Sequence, residues 1–176
     1  PGAVAVRGDS IVAVGAPEDV LAQYAAPAVE ALGNAVIMPG LVNAHGHAPM
    51  TLLRGLADDL RLDVWLMGYM MPVEREFVTP DFVRLGTKLA CAEFIRSGIT
   101  CFNDMYYFED ETAQAAKQAG MRCILGEALI DFPAPNAKSP EAGLAYTRWL
   151  LEKWKKRSLK KTVYRLTEFK KNDMII

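Results

Sequence analysis

His45 and His47 are the only histidines in this 176-residue chain, and they stand one residue apart at the end of the apolar run in "MPGLVNAHGHAPM". In an extended strand, residues i and i+2 face the same way, so both imidazoles are expected on one side with Gly46 on the other. Neutral imidazole is the commonest biological metal ligand and suits zinc as well as iron. An isolated pair of this kind equally fits two polar residues in a loop, and a catalytic zinc usually takes three protein ligands and a water. The chain has no third histidine and no HxxE motif, so no catalytic acid or base is assigned within it.

The elements that must position the pair are marked by local punctuation. "AVAVRGDSIVAVGA" holds two β-branched runs around Gly8-Asp9-Ser10, the pattern of an antiparallel hairpin. "PEDVLAQYA" opens a helix with Pro17 and two acidic residues, and "NAVIMPG" carries a further strand signal. From Leu41 the grammar changes. "LVNAH" reads as a strand, and the long helix of "TPDFVRLGTKLACAEFIRSG" has Thr79 as N-cap, Pro80 in its first turn and Gly98 at its stop. "ITCFND", "EDETAQAAKQAG" with Gly120 as its C-cap, "MRCILGEALID" and "SPEAGLAYTRWLLEKW" continue as strand, helix, strand, helix. That alternation is the signature of parallel βα units, and it fits an α/β barrel and an open doubly wound sheet alike. Neither a G-x-G-x-x-G nor a G-x-x-x-x-G-K-[ST] follows the first strand, which excludes the usual dinucleotide and P-loop sites.

The totals narrow the classes further. A hydrophobic content of 51% with a net charge of -1 describes a globular domain, and the longest apolar run, "VWLMGYMMPV", is far short of a membrane span and reads as Met-rich helix. Cys91, Cys101 and Cys123 form no CxxC pair and read as reduced, mostly buried thiols of a cytoplasmic protein. The charge is unevenly spread. Residues 1–152 carry 11 Lys and Arg against 19 Asp and Glu, whereas residues 153–176 carry nine against two. This basic end fits an anion-binding patch, a solvated helix end, or a segment foreign to the domain. No nucleic-acid motif stands beside it, so neither nucleic acid nor membrane is an expected partner.

"MPGLVNAHGHAPMTLLRGLADDL" closely resembles the start of the barrel of the metal-dependent amidohydrolase superfamily. With "DLRLDVWL" and "MPVE", the likeness is greatest to the branch of 5-methylthioadenosine/S-adenosylhomocysteine deaminases and their chlorohydrolase relatives, and it runs from about residue 1 to 152. The resemblance implies an incomplete (β/α)8 TIM-type barrel, its first three or so βα units in residues 39–152. Part of a small β-sandwich would precede it in residues 1–38, and a basic tail unrelated to the family pattern would follow in 153–176. It implies that His45 and His47 ligate one divalent metal, zinc or iron. Water activated by that metal would attack C6 of an adenosine-type nucleoside and release ammonia. A related hydrolase acting on another heteroaromatic ring, or a non-catalytic fragment, is the alternative.

Two further positions carry over individually. Glu74 in "MPVE" matches the family glutamate that binds the ribose hydroxyls, for which a carboxylate suits because it can accept from two vicinal hydroxyls; the other reading is a solvated residue opening "EREF". Trp65 matches a tryptophan near the nucleoside pocket, although with Leu62, Leu66 and Tyr69 it also makes an apolar stripe of the kind that fills cores. Arg54 and Asp104 are expected as structural partners. Where some relatives have an arginine for the substrate tail, this chain has Glu127, so a preference for a carboxylate-bearing tail is not expected. A complete barrel needs around 250 residues. The expectation is therefore a truncated enzyme, inactive alone, whose remaining ligands and proton shuttle lie elsewhere; that the full-length parent forms homo-oligomers is implied by the resemblance alone.

Overall fold

The computed structural model describes residues 2–8 and 10–155, so most of the basic end and Asp9 lie outside the described residues. The chain divides into two compact units, the first ending at Met38 and the second beginning at Pro39.

In the first unit, β1 (Ala3–Arg7) pairs antiparallel with β2 (Ser10–Gly15), with a bulge between Ala5 and Val6. Gly8 adopts φ +64°, the left-handed conformation that a tight reversal needs and that glycine adopts without steric cost. Helix α1 (Pro17–Gln23) begins with Pro17, Glu18 and Asp19, as its sequence implies, and buries Val20. The strand expected at "NAVIMPG" does not form. Residues 35–40 are irregular, and Val36, Ile37 and Met38 are all exposed. A β-branched run becomes a strand only when a partner satisfies its backbone, and the two-stranded sheet of this unit offers none to these residues.

The second unit is built on three parallel strands in the order β3 (Leu41–Asn43), β4 (Ile99–Tyr106), β5 (Arg122–Glu127). Between β3 and β4 the chain makes a 3-10 turn (Ala48–Leu53), a wide π-type segment (Val64–Met70), α2 (Met71–Phe77) and α3 (Pro80–Arg96). Helix α4 (Glu109–Ala119) joins β4 to β5, and α5 (Pro140–Lys155) follows β5. The Thr79 side chain accepts from the Phe82 N–H at 3.2 Å, capping α3 as its sequence implies, and Gly98 and Gly120 take positive φ just after α3 and α4.

One face of this sheet is covered by helices. Phe102 and Asp104 of β4 and Cys123 and Leu125 of β5 are buried there, with Phe102 packed in one cluster with Ala90, Cys91 and Phe94 of α3 and Ala113 and Ala116 of α4. The alternate residues Cys101, Asn103 and Met105 are more exposed. Helix α3 lies so close to the 3-10 turn that a Cβ on Gly86 would stand 2.4 Å from the Pro49 carbonyl oxygen. Only glycine permits that approach, and it fixes the turn directly after His47. Among the described residues β3 and β5 are each paired along one edge only. No helix in the described residues is long and apolar enough to cross a membrane.

Candidate active site

Strand β3 ends at Asn43, two residues short of the expected "LVNAH", so the histidines sit in the segment leaving its C-terminal end. The segment nonetheless stays beside β4. The Met105 N–H donates to the Gly46 carbonyl at 3.2 Å, and Asn103 Nδ2 donates to the Ala44 carbonyl at 3.0 Å. These bonds carry the line of the strand past its last regular residue. As a result the two imidazoles still converge, their ring centroids 5.2 Å apart with an interplanar angle of 79°.

His47 Nδ1 lies 2.6 Å from the Met105 carbonyl oxygen. A carbonyl can only accept, so Nδ1 carries the proton and Nε2 of the neutral ring is left with its lone pair outward. Two imidazoles bound to one tetrahedral zinc, with Zn–N near 2.0–2.1 Å, place their ring centres roughly 5 Å apart. The observed pair fits that requirement. Among the described residues no group of three or more histidine, cysteine or carboxylate side chains assembles into a metal site, so His45 and His47 fit two positions of a ligand set and not a complete one.

Asp104 secures the segment from behind. Its Oδ1 accepts from the Ala48 N–H at 2.7 Å, immediately after His47, and the residue is 1% exposed. Asp104 Oδ2 and both oxygens of the fully buried Glu109 meet no donor of good geometry. Burial pushes the Asp104 carboxyl up to about 7 and holds that of Glu109 well above the usual carboxylate range. Glu127, at the end of β5, accepts from the backbone N–H groups of Phe108 and Glu109, each at 2.9 Å, and from Asn136 Nδ2 at 2.6 Å. It caps the N-terminus of α4 from the neighbouring strand, where Phe108 is held at φ +56°. In this chain the position carries a helix-capping carboxylate.

Glu74 is 6% exposed, which overturns the reading of a solvated helix residue. Tyr106, at the end of β4, donates its hydroxyl to Glu74 Oε1 at 2.8 Å, and the Tyr106 ring lies 6.2 Å from that of His47. Trp65 is half-buried in the π-type segment, but Leu62, Leu66 and Tyr69 are exposed, so the stripe is not a core face. No hydrogen bond or ring contact joins Trp65 to the histidines or to Glu74 among the described residues. Arg54 makes a bidentate pair with Glu93 of α3 at 2.7 and 3.0 Å, the structural role expected of it. Cys91 and Cys123 are buried and Cys101 partly so, all three as free thiols. Sequence reasoning missed Tyr106 and Glu109. The period-two alternation Phe102, Asp104, Tyr106 was the available signal for the first.

The fold and the paired histidines define a class. Residues 36–173 match the profile of the amidohydrolase family, and the chain belongs to that family. Residues 2–26 match an imidazolonepropionase-like composite domain of bacteria. Over 153 residues the chain is 52% identical to 5-methylthioadenosine/S-adenosylhomocysteine deaminase 1 of Syntrophus aciditrophicus, which covers 87% of this chain and 34% of that one. The enzyme of the same name from Syntrophobacter fumaroxidans is 52% identical over 155 residues, 88% of this chain and 35% of its own length. The chain thus spans about a third of the length of the curated relatives it matches. Among solved structures, a zinc-bound adenosine deaminase from Xanthomonas campestris superposes with a TM-score of 0.85 at 43% identity, covering 94% of this chain and 37% of that one. Guanine deaminase from E. coli, with a TM-score of 0.71 at 21% identity over 93% of this chain and 39% of that one, shares the fold.

Proposed function

We propose that this chain supplies the opening βα units of the barrel of a metal-dependent hydrolytic deaminase acting on adenosine-type nucleosides of the 5-methylthioadenosine class. The observation that carries the reading is the convergence of His45 and His47 at the mouth of the first parallel strand, with the His47 tautomer fixed by Met105. Catalytic groups of parallel barrels collect at that end of the strands. His45 and His47 would hold one divalent cation, for which zinc suits the donors, and that cation when bound supplies the Lewis acidity that activates water. Glu74 would bind the vicinal hydroxyls of the sugar, and Trp65 would lie beside the nucleoside. The names of the most similar relatives support the substrate class.

Since two imidazoles are one ligand short of a catalytic zinc site, the isolated chain is expected to release no ammonia. Ammonia release from 5′-methylthioadenosine, set against chloride release from a chlorotriazine, is to be measured on a polypeptide carrying this segment together with the later ligands. Chelator-sensitive ammonia release that His45→Ala abolishes is the expected result. Turnover of the chlorotriazine alone, or full activity in His45→Ala, would overturn the reading.

A further inference from the structure

Glu74 and Tyr106 come from different elements, α2 and the end of β4, yet meet in a buried pair. The Tyr106 hydroxyl takes one lone-pair direction of Oε1, while no protein donor reaches Glu74 Oε2 among the described residues. Glu74 also borders a narrow cleft formed with Arg75, Tyr107, Ile130 and Phe132. Burial pushes the Glu74 carboxyl above its ordinary range, and the hydrogen bond from Tyr106 pulls it back down. The same burial pushes the phenol far up, so Tyr106 stays protonated and remains a donor. Its ring position is fixed in turn by Tyr107, at 5.0 Å, and by the Ala128 N–H, which donates to the Tyr106 carbonyl at 2.9 Å.

We propose that Tyr106 is a substrate-positioning residue: its hydroxyl fixes one oxygen of Glu74 so that the other is presented in a single orientation to a ligand carrying vicinal hydroxyls. The inference rests on the sugar-binding reading of Glu74 and extends it to a residue whose ring also adjoins His47. Tyr106 thereby couples the orientation of the sugar-binding carboxylate to the strand whose Met105 carbonyl orients a metal ligand. It touches no reacting atom and acts through Glu74.

Two measurements on this chain test it, with Tyr106→Phe preserving the ring. In the first, the carboxyl carbon of Glu74 is titrated by NMR without ligand; Tyr107 and Arg75, the other titratable groups on the cleft, are the same in both proteins. Glu74 is expected to titrate at higher pH in Tyr106→Phe, and an unchanged titration overturns the inference. In the second, binding of adenosine and of 2′,3′-dideoxyadenosine is compared by equilibrium dialysis. A charge-assisted hydrogen bond corresponds to about a tenfold preference for adenosine in the native chain. That preference should fall to about two- or threefold in Tyr106→Phe and vanish in Glu74→Ala, which leaves no side-chain acceptor. A full preference kept in Tyr106→Phe overturns the inference and leaves the Glu74 reading standing. No preference in the native chain overturns the Glu74 reading itself, whatever the titration shows.

Discussion

The side chain of His47 is tied to the backbone carbonyl of Met105, 58 residues away, through a 2.6 Å hydrogen bond from Nδ1. This single contact decides which nitrogen can serve as a ligand, because the protonated Nδ1 is occupied and Nε2 is not. It also joins the loop after β3 to the strand beside it, so the histidine pair keeps its facing geometry beyond the end of regular pairing.

The tautomer is therefore expected to be Nδ1-protonated in the metal-free chain, which long-range nitrogen–proton correlation spectra of the imidazoles will read directly. Zinc titrated into the chain should bind one equivalent, and His45→Ala or His47→Ala should weaken it by at least about tenfold, the scale on which loss of a ligand or its orienting partner is felt. Unchanged zinc affinity in both variants would remove the metal centre.

Gly86 is the point at which α3 meets the turn after His47. A methyl group there collides with backbone, which cannot rotate away, so Gly86→Ala is expected to destabilise the chain by about 1–3 kcal/mol despite the higher helix propensity of alanine. Urea unfolding followed by circular dichroism gives the measurement, and a stabilised variant would refute the close approach.

Glu127 holds two N–H groups of the first turn of α4. Glu127→Ala should cost about 1–2 kcal/mol, since both donors lose their acceptor next to a helix dipole, and Glu127→Gln should cost less because one carbonyl oxygen remains. Equal losses in the two variants would mean that the capping contacts do not set the effect.

Stability should fall as pH rises across neutrality. Burial holds the folded carboxyls of Asp104 near 7 and of Glu127 near 8, and that of Glu109 well above its usual range, whereas unfolded carboxyls lose their protons near 4. Between those limits the folded chain binds protons that the unfolded chain has lost, so these groups favour folding most below about pH 4 and least above about pH 8. Unfolding free energies at pH 5.5 should exceed those at pH 8. Glu109→Gln, which removes one ionisable member of the cluster, should flatten the profile. A profile that rises from pH 5.5 to pH 8 would show that these carboxyls fold already ionised.

Helix starts and stops were legible in the sequence because they depend on neighbours a few residues apart. Thr79 caps Phe82, Pro17 and Pro80 begin helices, and Gly98 and Gly120 follow their ends with positive φ. The succession of parallel βα units was legible in the alternation of elements, and the histidine pair in its spacing, whereas the side-by-side order of the strands came only from the structure. What the sequence could not show was every pairing made across long separations. The irregular path of residues 35–40 depends on the lack of a strand partner, and the burial of Glu74 depends on Tyr106, 32 residues on. Asp104 meets Ala48 and Glu127 meets Phe108 only because β3, β4 and β5 lie side by side. Local propensity is set by steric and hydrogen-bonding rules within one turn, whereas the charge, tautomer and orientation of a site group are set by whatever the tertiary fold packs against it.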